Sequence, residues 1–186
     1  MNETKPVRGY KLFLTIVVGA VALDLWSKAA AFAALDGPMD RIVIWEGVLQ
    51  FREVLNSGMM WGMLQDEVRP WHWVLIRGGV LLGLVWLFMT MPTRGKWTQA
   101  AFGLVAGGAI GNIYDNAFSG SEGLFTGHVR DFINVYWFEF PVFNVADSCI
   151  CVGAPLLLLV LWNQDRVSAA RGEDASPSLE SGASKS

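Results

Sequence analysis

The sequence predicts an α-helical membrane protein with four transmembrane helices, and three observations carry that prediction. Hydrophobic residues make up 53% of the 186-residue chain and charged residues only 17%, below the roughly 25% usual for a soluble domain. Four stretches approach the ~20 residues needed to cross a bilayer. The lysines and arginines between them are unevenly shared, as the positive-inside bias requires. The same arithmetic disfavours a disordered chain. A net charge of −3 supplies no basic field for a polyanion, so no nucleic acid is expected as a partner. Two cysteines, Cys149 and Cys151, make neither a disulfide framework nor a four-ligand metal site.

The first span covers residues 12–35, and the charged residues inside it are Asp24 and Lys28. The second covers residues 71–91 and contains Arg77. The third, residues 97–114, is rich in glycine. The fourth, residues 143–162, ends in an aliphatic run from Leu156 to Leu161. A short turn over residues 92–96 joins spans two and three, and longer connections cover residues 36–70 and 116–142. Residues 1–163 read as one integral-membrane domain. Residues 164–186, rich in Ser, Ala and charge, are expected to form a disordered cytoplasmic tail.

Basic residues orient the spans. Lys5, Arg8 and Lys11 precede the first span, Arg94 and Lys96 lie in the short turn, and Arg166, Arg171 and Lys185 follow the last span. The long connections hold Arg41, Arg52, Arg69 and Arg130 among more numerous acids. Both termini are therefore expected in the cytoplasm and both long connections outside. A competing reading takes the N-terminus as a cleavable signal with an A-x-A site at Ala20-Val21-Ala22. It is the weaker reading, because apolar character resumes after Lys28.

With this orientation the intramembrane polar residues converge in depth. Asp24 and Lys28 lie in the outer half of span one, and Arg77 in the outer third of span two. Asn112, Asp115 and Asn116 end span three, Asn144 and Asp147 begin span four, and Asp131 shortly precedes it. Polar groups in a membrane are costly and are functional candidates by default. Asp24 and Lys28 are spaced i, i+4 for an ion pair. Asn112 with Asp115, and Asn144 with Asp147, are spaced i, i+3 on shared helical faces. Packing bridges and interhelical hydrogen bonds are the plainer reading of each pair. Gly79-x-x-x-Gly83, Gly103-x-x-x-Gly107 and Gly107-x-x-x-Gly111 are expected to let helices approach closely.

The chemical signal is carboxylate pairing. Two nearby aspartates cannot both ionise easily, so one retains a proton and the pair can act as acid and base on one water. Asp24, Asp115, Asp131 and Asp147 are all candidates on spacing. A serine triad has no recognisable context around His72 or His128. No H-E-x-x-H motif is present, so a zinc protease is disfavoured, and neither a metal nor a cofactor is expected.

Five elements, in order, resemble the lipoprotein signal peptidase (signal peptidase II) family across residues 11–162. Asp24-Leu25-Trp26-Ser27-Lys28 resembles its D-x-x-x-K element, and Asn56-Ser57-Gly58-Met59-Met60-Trp61-Gly62 its N-x-G-x-x-[FW]-G element. Gly107-Gly108-Ala109-Ile110-Gly111-Asn112-Ile113-Tyr114-Asp115 matches G-G-A-x-G-N-x-x-D, Val129-Arg130-Asp131-Phe132 resembles V-x-D-F, and Phe143-Asn144-Val145-Ala146-Asp147-Ser148 matches F-N-x-A-D-S.

The resemblance implies an aspartic endopeptidase of the bacterial inner membrane that acts at the extracytoplasmic face. Its substrates are diacylglyceryl-modified prolipoproteins in the membrane lipid, cut just before the lipidated cysteine. It implies a catalytic dyad at Asp131 and Asp147. Supporting or substrate-binding roles fall to Asp24, Lys28, Asn56, Gly58, Gly108, Asn112, Asp115 and Asn144. It also implies four helices with a small extracytoplasmic β-sheet cradle, mainly from residues 42–64, and a short interfacial helix. Residues 41–45 and 49–51 read as strands. The enzyme is expected to be a monomer. A non-catalytic relative that binds lipidated proteins is the alternative, and a small transporter lined by Asp24 and Lys28 is a third reading.

Three departures from the family pattern stand out. Asn116 follows Asp115 where the family has arginine, and Arg130 is a candidate substitute. Residues 117–127 form a longer connection, read as a tolerated surface loop rather than a lid. Met59-Met60-Trp61 is bulkier than usual.

Overall fold

Hydropathy sets the first layer of structure. In the computed structural model, which describes residues 9–56, 70–91, 94–120, 124–138 and 140–174, the expected apolar runs are helices. They are α1 (Lys11–Ala34), α2 (Pro70–Thr90), α3 (Lys96–Phe118) and α4 (Val145–Asp174). Pro70 opens α2, where a missing N–H costs nothing. Three of the four, α1, α2 and α4, are long and apolar enough to cross a membrane.

The third helix fails that test for a physical reason. At 23 residues it is about 34 Å long at 1.5 Å per residue, so length is not what it lacks. It packs against α1, α2 and α4, and Gln99, Asn112, Asp115 and Asn116 are all buried within the protein. A helix enclosed by other helices needs no lipid-facing apolar surface. The surrounding helices show the converse: Val18, Leu82 and Leu158 are 66%, 73% and 68% exposed while Asp24, Lys28 and Asn144 are wholly buried. Polar groups inside and aliphatic ones outside is the arrangement a bilayer favours.

Glycine brings α3 close to its neighbours. A Cβ on Gly107 would lie 2.7 Å from the Ala20 Cβ of α1, and one on Gly108 would lie 2.8 Å from Ile150 of α4. The Gly103, Gly107 and Gly111 spacing therefore does what was expected of it. Gly79 and Gly83 do not: a Cβ at either meets nothing within 4 Å. Among the described residues no helix lies against that face of α2, so the repeat has no packing partner there.

Three strands, β1 (Ile42–Trp45), β2 (Leu49–Asn56) and β3 (Val129–Val135), form an antiparallel sheet in the order β1-β2-β3. The first two coincide with the expected strands, and β2 extends further. The third, where Asp131 was expected in a loop, is held by long-range pairing to β2, with Asn56 opposite Val129 and Val54 opposite Asp131. Between Phe51 and Val54 the strand β2 advances three residues while β3 advances two, from Ile133 to Asp131. Such a bulge breaks the in/out alternation, and opposite it both Asp131 and Phe132 are buried. No short interfacial helix occurs among the described residues, and Gly58 with Met59-Met60-Trp61 lies outside them.

Helix α4 continues past residue 164, where the tail was expected to begin. α4 is 30 residues long and runs to Asp174. Ala169, Ala170 and Arg171 are good helix formers, and no proline intervenes before Pro177. The Gln164 side chain also donates to Thr98 Oγ1 of α3 at 3.3 Å, which ties the extension to the bundle. Residues 175–186 lie outside the described ones.

Candidate active site

The expected cluster assembles where the sheet meets the helix ends. Phe143, one residue before the cap of α4, is bridged to Ile133 of β3 by backbone hydrogen bonds of 2.8 and 3.0 Å. That bridge locks the start of α4 to the strand carrying Asp131. It also changes the reading of Asn144 and Asp147. They do not share a helical face, because Asn144 precedes the helix and caps it.

The cap is reciprocal. Asn144 Oδ1 accepts from the Asp147 backbone N–H at 2.9 Å, and Asp147 Oδ2 accepts from the Asn144 N–H at 3.3 Å. This is a capping box built from Asn and Asp. It fixes the amide's orientation, since the oxygen must face the helix N–H. The Asn144 NH2 then points away and donates to Asp131 Oδ1 at 2.6 Å and to Asn112 Oδ1 at 3.1 Å. One residue thus holds both carboxylates, Asp131 through its side-chain NH2 and Asp147 through its backbone N–H.

Asn112 repeats the logic from α3. Its Oδ1 accepts from Lys28 Nζ at 3.1 Å, so its NH2 is free to donate to Asp147 Oδ1 at 2.8 Å. Asn56, at the end of β2, donates to Asp131 Oδ2 at 2.9 Å.

The four candidate aspartates separate into two kinds. Asp24 lies 2.7 Å from Lys28 and accepts from the Ala146 N–H of α4 at 2.8 Å. Asp115 lies 3.1 Å from Lys28 and 2.7 Å from Arg130, whose Nε and backbone N–H also donate to it. Both are bound to cations as parts of the scaffold. Asp131 and Asp147 accept from amide and backbone N–H groups, and no ion pair involves either among the described residues. Asp131 is 1% exposed, whereas Asp147 is half-buried. Burial, and then the charge of Asp147, push the Asp131 carboxyl up to about 7. A carboxyl raised this far can hold a proton towards neutral pH, which is what one member of an acid and base pair requires.

Gly108 belongs to this geometry, since α4 approaches α3 at Ala146, next to Asp147. Arg130 does not stand in at position 116, because Asp115 occupies it. The Asn116 side chain instead donates to Gly127 O at 3.1 Å and accepts from Arg77 of α2. Sequence reasoning expected Arg77 at the level of this cluster but gave it no partner, and its contact is Asn116. The 117–127 connection is pinned at its base, where Phe125 N–H donates to Ala117 O at 2.9 Å and Gly127 N–H to Asn116 O at 3.2 Å. Ala117 itself is buried as part of α3, so the connection is not wholly a surface loop.

The family described as Signal peptidase (SPase) II matches residues 16–163. The chain belongs to the signal peptidase II family. Its curated relatives include a lipoprotein signal peptidase of Mycolicibacterium smegmatis, 36% identical over 95% of this chain and 74% of that one. Another, from Rhodococcus jostii, is 37% identical over 81% of this chain and 72% of its own length. A third, from Anoxybacillus flavithermus, is 30% identical over 86% of this chain and 90% of that one. Two solved structures titled as bacterial membrane enzymes share the fold at 25% identity. One has a TM-score of 0.69 over 92% of this chain and 94% of that one, and the other 0.72 over 86% and 97%. Membership in the signal peptidase II family makes the chain a bacterial membrane peptidase.

Proposed function

We propose that this chain removes the signal peptide from diacylglyceryl-modified prolipoproteins, by water activated between Asp131 and Asp147. Two features support this reading: its curated relatives carry the name lipoprotein signal peptidase, and the amide-held pair is distinct from the cation-bound Asp24 and Asp115. The second observation carries the mechanism.

Near neutral pH the pair shares one proton, and Asp131, the more deeply buried carboxyl, serves as the acid in this reading. The Asp147 carboxylate accepts a proton from a water molecule as its oxygen attacks the scissile carbonyl carbon, just before the lipidated cysteine. Asp131 gives its proton to the carbonyl oxygen, forming a neutral tetrahedral diol. Collapse of the diol breaks the C–N bond. Asp147 delivers a proton to the departing amine, and Asp131 recovers one from the diol hydroxyl. Atoms and charge balance over the cycle, and no covalent intermediate forms.

The helices α1 to α4 all cross the membrane in this reading, with both termini in the cytoplasm and the dyad at the outer surface. The Lys and Arg distribution supports that orientation, and a substrate anchored by diacylglycerol presents its scissile bond at the same depth. Cleavage of a diacylglyceryl-modified prolipoprotein in detergent tests the reading. Asp131→Asn and Asp147→Asn each abolish cleavage while the protein still folds and inserts. Wild-type rates in either variant overturn the dyad. A wild-type protein that binds lipidated substrates without cutting them overturns the enzyme.

A further inference from the structure

Arg77 is the charged residue of α2 whose role the bundle does not explain. The helix lies within backbone range of α3 but of neither α1 nor α4. At its far end Phe88 closes the gap, stacked on Phe13 of α1 at 4.4 Å in an apolar cluster with Leu157 and Leu161 of α4. At the end carrying Arg77, the only protein hydrogen-bond acceptor recorded for the guanidinium among the described residues is Asn116 Oδ1.

That partner is neutral, and its orientation is fixed. The Asn116 NH2 donates to Gly127 O at 3.1 Å, so its oxygen must face α2. Trp73, one turn earlier on α2, supports the guanidinium from 5.8 Å. No carboxylate forms an ion pair with Arg77 among the described residues, yet its partner Asn116 lies one turn of α3 beyond Asn112, whose NH2 holds Asp147 at 2.8 Å. A guanidinium has five N–H donors in a planar fork, and the scaffold uses one of them. A cation held by a neutral amide beside the aspartate pair, with donors left over, suits an oxygen acceptor brought by another molecule.

We propose that Arg77 is a substrate-binding residue whose free N–H groups hold a carbonyl oxygen of the lipidated substrate next to Asp131 and Asp147. The assignment rests on the peptidase reading above and adds a contact to it. Two carbonyl sources share this chemistry, the substrate's peptide backbone and the ester groups of its diacylglycerol.

The test compares wild type, Arg77→Gln and Arg77→Lys in detergent. One substrate is a diacylglyceryl-modified prolipoprotein, and the other is its dialkyl-ether analogue, which lacks the ester carbonyls. Arg77→Gln raises KM about ten- to hundredfold, the loss expected for one charge-assisted hydrogen bond, while kcat changes by less than about threefold. Arg77→Lys recovers part of the loss, because it keeps the charge without the fork. An equal KM penalty on both substrates assigns the peptide carbonyl. A penalty that disappears on the ether analogue assigns the ester. A folded Arg77→Gln with wild-type KM, or with a loss confined to kcat, overturns the assignment. Should Arg77→Gln not fold, a wild-type KM in Arg77→Lys overturns it instead. Failure of the dyad is read separately, from cleavage by Asp131→Asn.

Discussion

Gly108→Ala should inactivate the enzyme without touching any polar group. A Cβ at this position would sit 2.8 Å from Ile150 Cγ1 and 3.3 Å from the Ala146 carbonyl carbon, and closer still to the carbonyl oxygen. Ordinary carbon contacts begin at about 3.5 Å, so α4 must retreat from α3 by about 1 Å. The hydrogen bond from Ala146 N–H to Asp24 is 2.8 Å long, and a retreat of that size takes it out of the ~2.7–3.2 Å range. Asp147 follows Ala146 directly and is held from α3 by Asn112 at 2.8 Å, so it moves with the helix. Overpacking of this kind costs about 1–3 kcal/mol of stability, and a misplacement of about 1 Å at a reacting group costs on the order of 100-fold in rate. The assay is kcat/KM on a lipidated prolipoprotein, beside thermal unfolding in the same detergent. Gly79→Ala is the control, because its Cβ meets nothing within 4 Å; it should retain full activity and gain up to about 1 kcal/mol through reduced chain entropy. A Gly108→Ala enzyme with wild-type rate and stability would refute the close approach of α3 and α4.

The electrostatics yield three further predictions. Asp131 keeps its proton up to about 7, so kcat/KM should fall as pH rises through that value; a profile flat to about pH 9 contradicts the shared proton. The same shift lies above the ordinary 3.8, so ionising Asp131 costs the folded state, and its contribution to stability declines as pH rises through the window from 3.8 to about 7. Lys28→Met leaves Asp24 and Asp115 buried without their common cation, which should destabilise the fold by about 3–5 kcal/mol. A thermal unfolding shift worth less than about 1 kcal/mol would show that the two carboxylates do not depend on Lys28.

The elements legible in the sequence are those determined locally. Apolar length marks α1, α2 and α4, and the Lys and Arg bias puts Asp24, Lys28, Asn112 and Asp147 at one depth before any contact is known. What escapes is long-range or depends on which neighbour is present. Val129–Val135 becomes a strand because β2 pairs with it, and nothing in seven residues announces that partner. Gly79-x-x-x-Gly83 and Gly103-x-x-x-Gly107 look alike in sequence, but among the described residues only the second has a helix against it. Asn144 and Asp147 have the spacing of a shared helical face and equally that of a capping box, and the choice turns on where α4 begins. Arg130 adjoins Asp131 in sequence, yet strand alternation turns it to Asp115, leaving Arg77 of another helix to meet Asn116.

In the proposed mechanism, the charges around Asp131 and Asp147 add up in a way that favours one proton on the pair. Lys28, Arg77 and Arg130 contribute three positive charges to the cluster, and Asp24 and Asp115 contribute two negative ones. With one proton between them, Asp131 and Asp147 add a single negative charge and the cluster is neutral. Removing that proton leaves a net charge of −1 in a medium that solvates it poorly, and adding a second leaves +1. Both departures are costly where water is scarce, so the scaffold's charges buffer the pair in its half-protonated state. Loss of the Arg77 charge removes one positive unit and raises the pH at which the pair takes up a second proton, so Arg77→Gln shifts the acid limb of the pH profile while kcat on its plateau stays within about threefold. Arg77→Lys keeps the charge and Arg77→Gln does not, so the difference between their pH profiles measures this shift while their common rise in KM measures the contact with substrate.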